Sequence, residues 1–140
     1  MRVVIDTNDY ISALIGKKHR LKLEKVLLDK NIEILSDVVL LEEIKEVAYR
    51  NKFRKYVSLE EVDRFVELLK YRLKPTIVTT QVNASPDPDD NFLLALAQEG
   101  KADHLVTGDK SDLLSLETFN GIPIIRLDTL LEIIESSSNK

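Results

Sequence analysis

Short apolar runs alternate along the chain with longer segments in which apolar residues recur at the spacing of one helix face. The runs that predict strands cover residues 3–5, 32–35, 77–78, 104–107 and 122–125. The segments with helical spacing cover residues 11–15, 23–28, 40–48, 62–69, 92–97 and 127–134. Strands that alternate with helices are typical of a parallel sheet covered by helices. The pattern therefore predicts an α/β fold with a mainly parallel, five-stranded sheet.

Polar and breaking residues mark where the predicted helices begin and end. Gly16 and Gly100 close two of them, and Ser58 with Glu61 three residues later has the form of a capping box. Pro75 is expected to end the helix that this box opens. No linker or repeat divides the chain, so we expect one domain over residues 1–135 and a disordered tail over residues 136–140.

Composition and charge narrow the functional classes. The chain has 140 residues, of which 44% are hydrophobic and 31% charged, and it contains no cysteine. Thiolate chemistry and cysteine-based zinc sites are therefore excluded. The net charge of −4 argues against broad binding to polyanions. Because no leader-like segment or membrane-spanning apolar run is present, we expect a cytoplasmic protein without a membrane partner.

Acidic residues follow several predicted strands. Asp6 ends the first strand, Asp90 lies at the start of a helix, and Asp109 follows the strand that ends near Thr107. Carboxyl ends of parallel strands meet at one edge of the sheet, where α/β folds bind ligands. A single acid in such a place is more often a helix cap, but several acids at one edge repel each other unless a cation lies between them. The sequence thus predicts a site for a hard cation, Mg²⁺ or Mn²⁺.

Helical geometry separates two further candidates, Glu42 and Glu43. At about 100° per residue, Glu42 lies nearly opposite the apolar arc of its helix and Glu43 at the border of that arc. Glu43 is therefore the acid that we expect to reach the sheet edge.

Four motifs occur in the order found in PIN domains. They are Asp6-Thr7-Asn8 after an apolar strand, Glu43-Ile44-Lys45-Glu46-Val47, Asp90-Asn91-Phe92-Leu93 and Leu105-Val106-Thr107-Gly108-Asp109-Lys110. The chain from residue 1 to about residue 130 thereby resembles the PIN-type (VapC-like) toxins of toxin–antitoxin pairs. Asp9 departs from the pattern, because the family usually has an apolar residue there.

The resemblance implies a three-layer α/β/α sandwich and a metal-dependent endoribonuclease. By that resemblance the metal-binding and catalytic acids are Asp6, Glu43, Asp90 and Asp109, supported by Asn8, Thr107 and Asp112. The implied reaction is attack of a metal-activated water on a single-stranded RNA phosphodiester, which leaves a 5′-phosphate and a 3′-hydroxyl. The implied partners are RNA, a cognate antitoxin and, in a homodimer, a second copy of the chain.

A basic segment offers a candidate RNA-binding surface. Arg50, Lys52, Arg54 and Lys55 alternate with two aromatic residues and could follow a phosphate backbone, or could form a solvated helix end. Two other functions stay open on the sequence: a receiver-like, Mg²⁺-binding phosphoacceptor module and an inactive PIN-like scaffold that binds RNA or protein. For Asp9 we expect that it complements the helix dipole and points away from the metal.

Overall fold

The computed structural model describes residues 1–108 and 113–138. The strands in this part of the chain are β1 (Arg2–Ile5), β2 (Glu33–Ser36), β3 (Leu73–Pro75), β4 (His104–Val106), β5 (Thr118–Phe119) and β6 (Ile122–Ile125). The helices are α1 (Thr7–Ile15), α2 (Lys17–Leu27), α3 (Val38–Ala48), α4 (Leu59–Arg72), α5 (Pro88–Glu99), α6 (Leu113–Leu116) and α7 (Leu127–Ser138), and a 3-10 turn covers Asn51–Phe53.

The central sheet has the strand order β3-β2-β1-β4-β6-β5, and all neighbouring pairs except β5 with β6 are parallel. β1 lies in the interior of the sheet between β2 and β4, and its residues Val3, Val4 and Ile5 are fully buried. An unbroken β-branched run suits this place because both faces of an interior parallel strand are covered. Helices flank the sheet, which confirms the predicted α/β/α architecture.

Two strands differ from the prediction, and the sheet has six strands where five were expected. The third strand is β3, Leu73–Pro75, rather than residues 77–78, and Ile77 is 84% exposed. Pro75 lies within β3, whereas the sequence predicted that it ends a helix. The strand tolerates this proline because β3 forms the edge of the sheet and pairs only with β2. β5 is the added strand, joined to β6 by a hairpin over Asn120 and Gly121, both with positive φ.

The helix ends follow the expected capping chemistry. Ser58 and Glu61 form a complete capping box at α4, and the side chain of Asp37 caps α3 by accepting from Leu40 N. Gly16 ends α1 as predicted. Helix α7 extends through Ser138, so residues 136–138 of the expected tail are helical, while residues 139 and 140 lie outside the described residues.

Arg72 fixes the junction between α4 and β3. Its guanidinium donates hydrogen bonds to the backbone oxygens of Leu27, Asp29 and Ile32, which belong to the end of α2 and the loop before β2. One side chain thereby joins the end of α4 to the α2–β2 connection. Among the described residues, no helix has the length and apolar character needed to cross a membrane.

Candidate active site

The carboxyl ends of the interior strands meet at one edge of the sheet, and backbone hydrogen bonds continue there beyond the strands. Asp6 N donates to Val106 O at 2.8 Å, and Thr107 N donates to Ile125 O at 2.9 Å. These two bonds hold Asp6 beside the end of β4 and Thr107 beside the end of β6. The first residue after β1 and the first residue after β4 are thus neighbours, as the parallel sheet predicts.

Asp6 is a buried carboxylate whose two oxygens are both oriented. It caps α1 by accepting from Asn8 N at 3.1 Å through Oδ1, and its Oδ2 accepts from Thr107 Oγ1 at 2.7 Å. Asp6 is 5% exposed and Thr107 is fully buried. A carboxylate oxygen can accept about two bonds. Each oxygen of Asp6 therefore keeps acceptor capacity beyond these two bonds.

Glu43 lies on the exposed side of α3, close enough to the other acids to feel their charge. Partial burial raises the pKa of the Glu43 carboxyl, and the negative charges of Asp89 and Asp6 raise it further. A carboxyl whose pKa is raised by neighbouring acids is more common at functional sites than elsewhere on a protein. Asp89, at the start of α5, is a member of this group that the sequence did not single out.

Asp90 is held at the start of α5 by a short network. It is 9% exposed, and Ser85 Oγ donates to its Oδ2 at 3.4 Å. Asn91 orders the preceding loop, because its Oδ1 accepts from Ala84 N at 3.1 Å and Ser85 N at 2.8 Å and its Nδ2 donates to Ser85 O at 2.7 Å. Asp87 serves as the N-cap of α5, so the start of this helix does not depend on Asp90 for its cap.

The carboxylate oxygens at this edge of the sheet are ligand atoms of the kind that a hard divalent cation binds. Asp6, Glu43 and Asp90 offer only oxygen, the ligand atom that Mg²⁺ and Mn²⁺ prefer. Within residues 1–108 and 113–138, however, no three His, Asp or Glu side chains are close enough together to hold a metal ion. The predicted ligand Asp109 and the outer acid Asp112 lie outside the described residues.

A family model for the PIN domain matches residues 2–111 of the chain. The chain belongs to the PIN domain family. The chain is also 34% identical over 124 residues to the uncharacterized protein MJ1680 of Methanocaldococcus jannaschii, an alignment that covers 86% of this chain and 77% of that protein. The sequence left a receiver-like phosphoacceptor module open as an alternative function. The family match favours a PIN domain over that module.

The fold of this PIN domain is similar to that of a chain in the crystal structure of VapBC2 from Rickettsia felis bound to a DNA fragment from their promoter. The match covers 89% of this chain and 97% of that chain, with a TM-score of 0.56 and 15% sequence identity. At that identity the likeness concerns the fold alone.

The four cationic residues of the basic segment all contact neighbouring groups of this PIN domain. Arg50 forms an exposed ion pair with Glu46, and Arg54 donates through Nη2 to Ala48 O at the end of α3. Lys52 lies 5.2 Å from the ring centroid of Phe53, and Lys55 lies 5.0 Å from that of Tyr56. Arg54 therefore stabilises a helix end, while the other three cations remain accessible at the surface.

Asp9 is buried in the first turn of α1, where its charge complements the helix dipole. It is 4% exposed, and its Oδ1 lies 3.2 Å from His19 Nε2 on α2. Burial lowers the pKa of His19, and Lys22 lowers it further, while Asp128 and Asp9 raise it. Local sequence patterns do not predict this contact, because it depends on how α2, which carries His19, packs against α1.

Proposed function

We propose that this PIN domain is a metal-dependent endoribonuclease and the toxin of a toxin–antitoxin pair. The observation that carries the proposal is the oriented, buried carboxylate of Asp6. Its charge acts on Glu43, whose pKa is raised by burial and by the charges of Asp89 and Asp6. Membership of the PIN domain family supports the nuclease. The fold shared with a chain of VapBC2 is the reason for proposing an antitoxin partner. We propose Mg²⁺ or Mn²⁺ as the cofactor, and RNA, an antitoxin and a second copy of the chain as partners.

In this proposal Asp6, Glu43, Asp90 and Asp109 bind the cation. When bound, a divalent ion supplies an activated water and offsets the charge of a phosphate oxygen. Thr107 and the backbone of Asn8 hold the Asp6 carboxylate in one orientation, so that it need not reorganise when the cation and the RNA bind. Ser85 does the same for Asp90. The cleaved bond is a phosphodiester of single-stranded RNA, with a 5′-phosphate and a 3′-hydroxyl as the new ends.

The test is cleavage of an unstructured, 5′-labelled RNA by the purified full-length chain. We expect cleavage with Mg²⁺ or Mn²⁺, none with chelator, and loss of at least 100-fold in Asp6→Asn and Asp90→Asn. The matched control is Glu60→Gln, which removes an exposed acid on α4 and should leave the rate unchanged. Equal activity in Asp6→Asn, Asp90→Asn and the wild type would place the reaction at another site or in a contaminating nuclease.

A separate measurement keeps cation binding apart from catalysis. We expect Mn²⁺ to bind the wild-type chain in a calorimetric titration and to bind Asp6→Asn at least tenfold more weakly. A folded wild-type chain that binds RNA but neither binds Mn²⁺ nor cleaves RNA would refute the nuclease and identify an inactive PIN scaffold.

A further inference from the structure

A cleft of about 590 Å³ adjoins the candidate active site. It lies between α1, the first half of α2 and the start of α7, and it shares Asn8 and Thr107 with the surroundings of Asp6. Its volume is within the range of small-ligand sites, roughly 300–1,000 Å³. A ligand in this cleft would therefore lie directly beside whatever the acids bind.

The walls of the cleft combine an apolar surface with hydrogen-bonding groups. Ile11 and Leu127 provide apolar surface, and Ser12 and His19 provide polar groups. The Nε2 atom of His19 faces Asp9, so Nδ1 is the ring nitrogen through which His19 could contact a ligand. An aromatic ring with polar edges, such as a nucleobase, fits walls of this kind because its faces need apolar contact and its edges need hydrogen bonds.

Two cationic groups of the cleft lie beside acids. Lys22 Nζ lies 2.7 Å from Asp128 Oδ1, and His19 Nε2 lies 3.2 Å from Asp9 Oδ1. Among the described residues that line the cleft, the two acids Asp9 and Asp128 match the two permanent cations Lys22 and Arg126 in number. These residues therefore lack the excess of positive charge expected of a phosphate pocket. The balance favours a neutral base over a free anion.

The contact with Asp9 sets the orientation of the His19 ring. Asp9 is nearly fully buried in α1, while His19 is 30% exposed and lines the cleft. A recognition group selects one base over another only when its own direction is fixed by neighbouring groups. The buried acid thus makes His19 a positioned group at the cleft wall.

We propose that this cleft binds the nucleoside next to the cleaved phosphate, and that His19, positioned by Asp9, selects its base. The proposal rests on the ribonuclease function and names the part of the RNA that this region contacts. Asp9 is then a positioning residue for recognition.

The first test measures binding without cleavage. The wild-type chain, labelled with ¹⁵N-histidine and kept in chelator, is titrated with AMP, GMP, CMP and UMP and followed by NMR. The chain has two histidines, so His104 on β4, outside the cleft, serves as the internal reference. We expect the His19 ring signals to shift with at least a fivefold preference among the four nucleotides, while those of His104 stay in place. No shift at His19, or equal shifts at both histidines, would overturn the proposal.

The second test measures the base preference of cleavage on an oligoribonucleotide library. We expect His19→Gln and Lys22→Ala to reduce the preference at one position beside the cut at least fivefold and to raise KM, with kcat within threefold of the wild type. The matched controls are His104→Gln for the histidine and Lys25→Ala for the lysine. Lys25 is exposed and lies on the same helix as Lys22. Thermal melting shows whether each variant is folded. If His19→Gln does not fold, the base preference of Lys22→Ala tests the proposal.

The two tests separate failure of the inference from failure of the proposed function. Cleavage with an unchanged base preference in both folded variants would overturn the nucleoside site and keep the nuclease. Selective nucleotide shifts at His19 in a chain that does not cleave RNA would support the site and refute the nuclease.

Discussion

The hydrogen bond between Thr107 and Asp6 is the contact at the candidate active site whose contribution to the free energy of unfolding can be measured most directly. Thr107→Val keeps the shape of the side chain but replaces the hydroxyl that donates to Asp6 Oδ2 at 2.7 Å. Both residues are almost completely buried, so little water can replace the lost donor. A hydrogen bond to a charged group contributes about 1.5–3 kcal/mol, and we expect a loss of about 2 kcal/mol in the free energy of unfolding.

Urea denaturation at pH 7 measures this loss, and thermal melting gives a second value. For a domain near this length, 1 kcal/mol corresponds to roughly 2–4 °C, so Tm should fall by roughly 4–8 °C in Thr107→Val. Thr107→Ser keeps the hydroxyl and is the matched control for the hydrogen bond. We expect Thr107→Ser to recover most of the difference, apart from the smaller cost of its missing methyl group.

A double-mutant cycle with Asp6→Asn isolates the contact itself. Because the asparagine oxygen is neutral, it accepts a weaker hydrogen bond from Thr107 than the carboxylate does. The two substitutions should therefore couple by about 1 kcal/mol or more. A coupling below about 0.5 kcal/mol, together with equal stability of the valine and serine variants, would refute the view that Thr107 orients Asp6.

Two further predictions concern Arg72 and His19. Arg72→Lys keeps the charge but loses the planar guanidinium that donates to three backbone oxygens. We therefore expect the free energy of unfolding in urea to fall by about 2–4 kcal/mol. A urea midpoint equal to that of the wild type would show that water replaces these bonds. The pKa of His19 is lowered in the folded chain, so its contribution to stability is present above its ordinary pKa of 6.5 and is lost as the pH falls through the lowered value. The difference in unfolding free energy between the wild type and His19→Gln should therefore narrow on acidification below pH 6.5; widening would contradict the pKa direction.

Local sequence patterns were enough to predict the elements whose residues carry their own signals. The buried run of β1, the capping box of α4 and the acid after β1 all lie where the sequence places them. Parallel geometry then accounts for the meeting of Asp6 and Thr107, which lie 101 residues apart.

Some of the missed features depend on pairing or packing that short sequence patterns do not reveal. Edge position, not composition, allows Pro75 within β3. The β5–β6 hairpin did carry a signal, because Asn120-Gly121 suits a two-residue turn with positive φ. The contact between Asp9 and His19 had no signal in the sequence, because it depends on the angle at which α2 packs against α1.

The position of β1 within the sheet also has a consequence during synthesis. A ribosome makes Asp6 first and Thr107 101 residues later, an interval of roughly 5–20 s at 5–20 residues per second. Throughout that interval β1 pairs with β2 at most, and its other edge awaits β4. A nascent chain that stops before β4 therefore carries Asp6 without its hydroxyl partner and exposes the edge of a strand whose residues Val3, Val4 and Ile5 are fully buried in the folded chain. The order of synthesis makes this edge a natural binding target for chaperones and delays the completed site until most of the chain has emerged.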